Sequence, residues 1–178
     1  MNECTLTREN PPNGGRYFGL TNITAHRNNR LVPVAQPLVA VAAFLACAGV
    51  GGALYESLVL DPVWPNRPAI VQPRLGGLAR QRFWRPMHAA LEVALVAATI
   101  AYWGVPDVRT ALLIALASHL VVRAWSLLDL GPKAVAFERA DPATIERTAA
   151  LGWVRRSRLR LPIDAVTCVA TLTALALT

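Results

Sequence analysis

Apolar residues gather in four long runs along the chain, separated by polar segments that contain proline or glycine. The runs cover residues 32–60, 83–103, 108–130 and 160–177. Each is close to or above the ~20 residues that an α-helix needs to cross a bilayer. The pattern predicts an all-α fold, an integral membrane four-helix bundle with up-down-up-down topology.

Proline and glycine mark the predicted ends of these spans. Asp61-Pro62 follows the first span and Gly131-Pro132 follows the third. Proline lacks a backbone donor and glycine readily ends a helix, so both dipeptides predict helix stops. Gly104 and Pro106 predict a tight turn between the second and third spans.

The segments outside the spans predict two further features. Residues 1–31 are polar and have no sustained apolar period, which predicts a flexible tail ahead of a transmembrane domain at 32–178. Residues 142–160 predict a soluble helical extension. It is expected to start at a capping residue, Asp141, and to continue into the fourth span with a kink at Pro162.

Composition agrees with a bilayer as the solvent. Of 178 residues, 54% are apolar and only 16% are charged. The net charge of +7 comes from arginines at span ends and in loops, a distribution that suits anionic lipid headgroups and not nucleic acid. The charge asymmetry of the loops predicts that those after spans one and three are cytoplasmic. Many Ala, Leu and Arg beside a single lysine are typical of a bacterial protein, hence of the bacterial cytoplasmic membrane.

The three cysteines, Cys4, Cys47 and Cys168, are far apart in the sequence and include no CxxC pair. This spacing predicts neither a disulfide framework nor a zinc ribbon. It also argues against a thiol–quinone reductase, whose chemistry needs a paired CxxC.

Charged and polar side chains inside the spans are the strongest functional signal. A charge at the centre of a membrane helix costs roughly 2.5 to 3.5 kcal/mol, so its presence needs a reason. Antiparallel helices would bring these residues to one membrane face, and their i, i+4 spacing gives each helix one polar stripe. We therefore expect a polar pocket inside the bundle. The residues are Glu56, His88, Glu92, His119, Arg123, Arg160 and Asp164. Structural ion pairs, such as Arg160 with Asp164 or Arg123 with Glu92, are the alternative interpretation.

Short motifs along the chain resemble a known family. They are Gly52-Ala53-Leu54-Tyr55-Glu56 leading to Asp61-Pro62-Val63-Trp64, the pair Phe83-Trp84, and Trp153 with Arg158 and Arg160. Together they resemble the anthrone oxygenase-like family of small four-helix membrane proteins, long catalogued as a domain of unknown function. The resemblance runs from about residue 35 to the end of the sequence. The segment Asp129-Leu130-Gly131-Pro132 departs from it, because an asparagine-containing segment is expected there.

The resemblance implies a four-helix membrane fold. For some members in polyketide pathways, it also implies oxidation of an anthrone to an anthraquinone by molecular oxygen, without an obvious cofactor. The resulting hypothesis is a membrane oxidoreductase, an oxygenase that acts on a lipophilic anthrone- or phenol-like substrate. His88 or Glu56 would be the general base, and Arg123 or Arg160 would stabilise an enolate. The expected substrate-binding residues are Tyr55, Trp84, Glu92, Trp125 and Asp164.

Two alternatives remain open from the sequence. His88 and His119, with Glu56 or Glu92, could bind copper, iron or haem, whereas the oxygenase hypothesis requires no cofactor. The chain could also be a non-catalytic membrane subunit or a small transporter. The expected partners are the lipid bilayer, a small lipophilic substrate and molecular oxygen, with a homo-oligomer or a larger membrane complex as the assembly.

Overall fold

The computed structural model describes the backbone of residues 18–178 and the side chains from Ala35 onward. Cys4 and the predicted tail up to residue 17 lie outside the described residues. All regular structure in the described part is helical, which confirms the all-α prediction there. Its six α-helices are α1 (Phe18–Tyr55), α2 (Arg80–Ala101), α3 (Pro106–Trp125), α4 (Gly131–Arg139), α5 (Arg147–Arg158) and α6 (Leu161–Ala176).

Three helical stretches of the described chain are long and apolar enough to cross a membrane. They are Ala35–Leu60, Pro106–Arg139 and Arg147–Ala176, with mean hydropathies of 2.1, 1.8 and 1.5. Helix α2, which contains the predicted second span, is not among them. Arg85, His88 and Glu92 lower the hydropathy of its first half. Length and composition therefore support three of the four predicted spans.

Helices α1, α2, α3 and α6 pack around one apolar core. Most of its buried residues are alanines, and small residues of this kind allow helix backbones to approach closely. The larger members include Val39, Leu91, Leu95, Tyr102, Val108 and Leu112. Contacts between side chains show that α3 and α6 are antiparallel. Ser118 Oγ lies 2.8 Å from Thr167 Oγ1, and Ser126 Oγ accepts a 3.1 Å hydrogen bond from Arg160.

Two stretches of π-helix extend α1 and α3 at the same end of the bundle. We call them π-turns; they cover Glu56–Leu60 and Ser126–Leu130. In the first, the Asp61 N–H donates to the Glu56 carbonyl at 2.7 Å, and in the second the Gly131 N–H donates to the Ser126 carbonyl. Each donor directly precedes a proline. Because proline cannot donate, the ladder must change or end there.

The first predicted stop is confirmed, because the helix ends at Leu60 before Asp61-Pro62. The stop predicted at Gly131-Pro132 is wrong. The chain remains helical through the second π-turn and α4, with Pro132 in the first turn of α4, where no donor is needed. A glycine is required at position 131 because the Ser126 carbonyl oxygen lies so close that a Cβ would be only 2.7 Å from it.

Residues 142–160 differ in detail from the predicted extension. Asp141 accepts a 3.0 Å hydrogen bond from the Ala143 N–H, so it caps a short 3-10 turn at Pro142–Thr144. Helix α5 starts only at Arg147. Pro162 lies in the first turn of α6, so it begins a new helix and does not kink a continuous one.

A second apolar cluster, which we call the cap, covers the end of the bundle that carries the π-turns. It is built from three 3-10 turns between residues 64 and 75, α4 and α5. Its buried residues are Leu60, Trp64, Val71, Leu130, Ala134, Ala150, Trp153 and Val154. Trp64 is central, with its ring 5.4 Å from Phe137 and 5.8 Å from Trp153.

Candidate functional site

A cavity of about 370 Å³ lies between the cap and the bundle. It is placed where the π-turns interrupt the regular helices, and the first residue of each π-turn lines it. The polar and aromatic lining consists of Glu56, Arg80, Gln81, Trp84, Arg85, His88, Arg123, Ser126, Trp153 and Arg160. The cavity therefore contains all four predicted catalytic residues, together with Trp84.

Trp84 connects the predicted base residues. Its indole N–H donates a 2.8 Å hydrogen bond to Glu56 Oε1. On its other side the indole stacks on the His88 imidazole, with 5.3 Å between ring centres and 24° between planes. Trp84 and His88 are one helical turn apart on α2, which explains the stacking. The tryptophan thus fixes a carboxylate and an imidazole beside the same cavity.

His88 and His119 are both buried and lie side by side. Their ring centres are 5.6 Å apart. His88 Nδ1 and His119 Nε2 have no hydrogen-bond partner among the described residues. A buried nitrogen without a partner is uncommon and marks a position where a ligand, water or proton can be accommodated.

The two predicted ion pairs have different outcomes. Arg123 Nε lies 3.4 Å from Glu92 Oε2, so this pair is present. Arg160 is held by neutral oxygens instead: it donates to Ser126 Oγ at 3.1 Å and to Ser157 Oγ at 3.0 Å. Across residues 35–178 no carboxylate lies within 4.0 Å of the Arg160 guanidinium. Its positive charge is therefore available to a ligand.

Four predicted substrate-binding residues lie outside this cavity. Tyr55 is 57% exposed at the end of α1, and the Glu92 side chain is 40% exposed where it meets Arg123. Trp125 packs against the cap. Asp164 lies beside His119 at a separate, much smaller void. Of the predicted substrate-binding residues, Trp84 alone lines the cavity.

The predicted metal ligands come together only in part, because His88 and His119 are adjacent but the two glutamates do not join them. Glu56 is engaged by Trp84 and Glu92 by Arg123, so neither joins the two histidines. In the described part of the chain, no group of three or more His, Cys, Asp or Glu side chains is arranged to hold a metal ion. The donor set expected for a three-ligand site is not assembled.

Sequence analysis missed two arrangements that depend on long-range packing. Arg80 belonged to the predicted loop after span one, yet its side chain is buried and lines the cavity. Cys47 on α1 and Cys168 on α6 lie with their Sγ atoms 3.4 Å apart. No local signal reveals either one, because both arise from contacts between distant elements.

Asp61 carries a buried carboxylate at the junction of the first π-turn and the cap. Its Oδ1 accepts a 3.3 Å hydrogen bond from the Trp64 indole, and its Oδ2 lies 3.8 Å from Arg158 Nε. Burial, followed by the nearby Glu56 carboxylate, raises the pKa of Asp61 to about 6.

Comparison of the chain with protein-family models, curated proteins and solved structures found no match. The resemblance to the anthrone oxygenase-like family therefore stays a prediction. Function is argued below from the residues around the cavity.

Proposed function

We propose that the chain is a membrane-embedded oxygenase that oxidises a lipophilic, phenol- or anthrone-like substrate with molecular oxygen in the cavity beneath the cap. Helices α1, α2, α3 and α6 would cross the bacterial cytoplasmic membrane as an up-down-up-down bundle, with the cap on the cytoplasmic side. The observation that carries the proposal is the buried His88 imidazole beside a cavity that is also lined by Arg160, a guanidinium with no carboxylate partner within residues 35–178.

The outer surface of the helices supports the membrane part of the proposal. Large apolar side chains are exposed there, among them Phe44, Val93, Ile100, Leu128 and Val169. Water would disfavour so much apolar surface, whereas lipid tails would solvate it. Helix α2 would cross with its polar side turned inward, because His88 is buried against α3 at His119.

The first chemical step would be removal of a proton from an activated C–H group of the substrate. His88 is suited to act as the base, because its Nδ1 has no hydrogen-bond partner in the part of the chain that the structure describes. The negative charge would pass to the substrate oxygen as an enolate. Arg160, held in place by Ser126 and Ser157, would stabilise that oxygen from its fixed position, with Arg123 as the second cation.

Oxygen would then react with the electron-rich enolate. Transfer of one electron gives a substrate radical and superoxide, and their combination forms the C–O bond of a peroxide. The peroxide oxygen takes back the proton held by His88. Loss of the second C–H proton with cleavage of the O–O bond releases water and leaves a carbonyl. In sum, a CH₂ group and O₂ become C=O and H₂O.

Trp84 would orient the substrate ring. Its indole is fixed between Glu56 and His88, so one aromatic face beside the cavity has a defined position. Offset stacking on such a face places a flat substrate with its reactive carbon near the imidazole. A positioned base and a fixed cation would together lower the entropic cost of reaching the reactive geometry.

The test is turnover of anthrone by the purified chain in detergent, followed by oxygen uptake and by the absorbance of anthraquinone. His88→Ala should lower turnover by about 100-fold or more, in line with the loss of a general base. Thr110→Val is the control, because Thr110 is exposed at the opposite end of the bundle and its hydroxyl donates to the Pro106 carbonyl of its own helix. Unchanged turnover in folded His88→Ala protein would remove His88 from the mechanism, and no turnover by the wild type would reject anthrone oxidation.

A further inference from the structure

The Arg80 side chain borders the cavity but has no part in the mechanism above. Arg80 is the first residue of α2 and is 7% exposed. Its Cζ atom lies 5.5 Å from the ring centre of Trp64 and 4.7 Å from that of Trp153. The guanidinium is therefore held by two tryptophans of the cap and also lines the cavity.

Both terminal nitrogens of Arg80 are buried without a hydrogen-bond partner among the described residues. The indole faces attract the cation, but they leave the in-plane N–H donors unsatisfied. A buried cationic donor without an acceptor is costly, so native proteins seldom keep one. Two terminal N–H groups of a guanidinium form the fork that binds two oxygens of a carboxylate or phosphate. The missing partner is thus best supplied by an oxyanion.

The carboxylates of residues 35–178 do not supply that partner. Asp61 and Glu138 are close enough to interact with Arg80 electrostatically. Asp61, however, already accepts from Trp64 and faces Arg158. Within residues 35–178 neither acid forms an ion pair with Arg80 at 4.0 Å or less. Glu138 is the internal competitor that an experiment must address, because its Oε1 is also buried without a partner.

The cavity as a whole has the charge and shape for an amphiphilic acid. Its lining includes four arginines, Arg80, Arg85, Arg123 and Arg160, and one carboxylate, that of Glu56. Such an excess of positive charge in a partly enclosed site attracts anions. The rest of the lining includes leucine, valine, alanine and proline side chains, which suit an apolar ring or chain.

We propose that Arg80 binds the carboxylate or phosphate group of an amphiphilic ligand whose apolar part occupies the cavity. The inference rests on the proposed function in treating this cavity as the substrate site, and it adds that the substrate carries an acidic group besides its oxidisable ring. Binding is measurable without turnover, so failure of the oxygenase reaction and failure of oxyanion recognition are separate results.

The experiment compares two probes of the same shape on the full chain in phosphatidylcholine nanodiscs. Equilibrium dialysis gives the Kd of anthracene-9-carboxylate and of its neutral analogue anthracene-9-carboxamide. The wild type should prefer the carboxylate by about tenfold or more, as expected for a charge-assisted pair. Arg80→Gln should remove most of this preference with little change for the amide, because the other arginines of the lining already bond to Gln81, Glu92 and two serines. Arg82→Gln is the matched control, because Arg82 is exposed, lies on the same helix and does not line the cavity.

Further arms identify the source of the oxyanion and keep the test decisive. Displacement of the probe by added phosphatidylglycerol assigns the oxyanion to a lipid headgroup, and lack of displacement assigns it to a carboxylate-bearing substrate. If Arg80→Gln does not fold, Arg80→Lys, which keeps the charge but loses the fork, should weaken the preference instead. Equal binding of acid and amide by the wild type overturns the proposal. So does a preference that appears only in Glu138→Gln, because Glu138 would then be the partner of Arg80.

Discussion

The two ends of the helix bundle are built differently. Where α2 turns into α3, small and branched apolar residues pack closely, and Leu95, Leu112 and Ala174 have no exposed surface. At the other end, two π-turns, the cap and the arginine-lined cavity replace that regular packing. The α-helical hydrogen-bond ladder is thus interrupted at the same end at which the charged side chains gather.

This difference separates regular helix packing from irregular placement of polar side chains within one small chain. A regular α-helix presents a side chain every 100°, which suits close packing of alanine against its neighbours. A π-turn widens the helix locally and changes the direction of the side chains around it. Glu56 and Ser126, the first residues of the two π-turns, both line the cavity. Both ends have a buried apolar cluster, but polar side chains are placed around a cavity at the irregular end.

The largest effect on stability is expected when the centre of the cap is removed. Trp64 is fully buried against Phe137, Trp153 and Arg80, so Trp64→Ala should cost roughly 3–5 kcal/mol in unfolding free energy. The measurement is unfolding in mixed micelles of increasing denaturing-detergent fraction. Trp103→Ala, at a position 58% exposed at the opposite end, should change the free energy by less than about 1 kcal/mol. Equal losses for the two variants would contradict a structural role for the cap.

A covalent link across the packed part of the bundle should have the next largest effect. Cys47 on α1 and Cys168 on α6 are free thiols with 3.4 Å between their sulfur atoms, so a mild oxidant should remove two electrons and two protons to form a disulfide. The link should add about 2–4 kcal/mol of stability. Mass spectrometry after thiol blocking detects the bond, and Cys168→Ser is the control. Failure to oxidise while both thiols react with a small maleimide would argue against this α1–α6 register.

Two neighbouring glycines of α1 test how closely α1 packs against α2 beside the irregular end. A Cβ at Gly52 would lie 2.9 Å from Phe83 Cε1 and 3.4 Å from Trp84 Cη2, whereas a Cβ at Gly51 would meet nothing within 4 Å. Gly52→Ala should therefore cost roughly 1–3 kcal/mol and disturb Trp84. Gly51→Ala should be neutral or stabilising by up to about 1 kcal/mol. Thermal unfolding with tryptophan emission measures both effects, and similar results for the pair would show that α1 and α2 do not meet closely.

The last prediction concerns pH and the buried carboxylate of Asp61. The pKa of Asp61 is raised from 3.8 to about 6 in the folded protein. Its contribution to stability is therefore complete below pH 3.8 and is lost as the pH rises through about 6. Asp61→Asn should flatten the profile of Tm against pH in this interval. Asp107→Asn, in the first turn of α3 at the other end of the bundle, should leave the profile as in the wild type.

Sequence patterns predicted the parts of this molecule that depend on local chemistry. The apolar runs located α1, α3 and α6, and Asp61-Pro62 located the end of the first span, because a missing backbone donor acts on its own helix. The polar stripes led to Glu56, His88, Arg123 and Arg160, since i, i+4 periodicity fixes which residues share a face.

The remaining features depend on contacts that no local pattern encodes. Gly131-Pro132 has the composition of a helix stop, but a hydrogen bond from Gly131 to the Ser126 carbonyl keeps the chain helical. Arg80 looks like a loop arginine until Trp64 and Trp153 enclose it. Tertiary packing alone makes Arg80 point inward and Tyr55 point outward.

The π-turns also make the fold sensitive to the deletion of a single residue. A π-turn is geometrically a single extra residue accommodated within an α-helix. Deleting one position from Glu56–Leu60 would let the segment relax to ordinary α-helix, and the parts on its two sides would rotate by about 100° relative to each other. Either α1 would turn its alanine face out of the core, or the chain would enter the cap in the wrong direction. Substitutions here are therefore easier to accommodate than a deletion, and homologous chains should keep the distance between α1 and Trp64 constant to the residue.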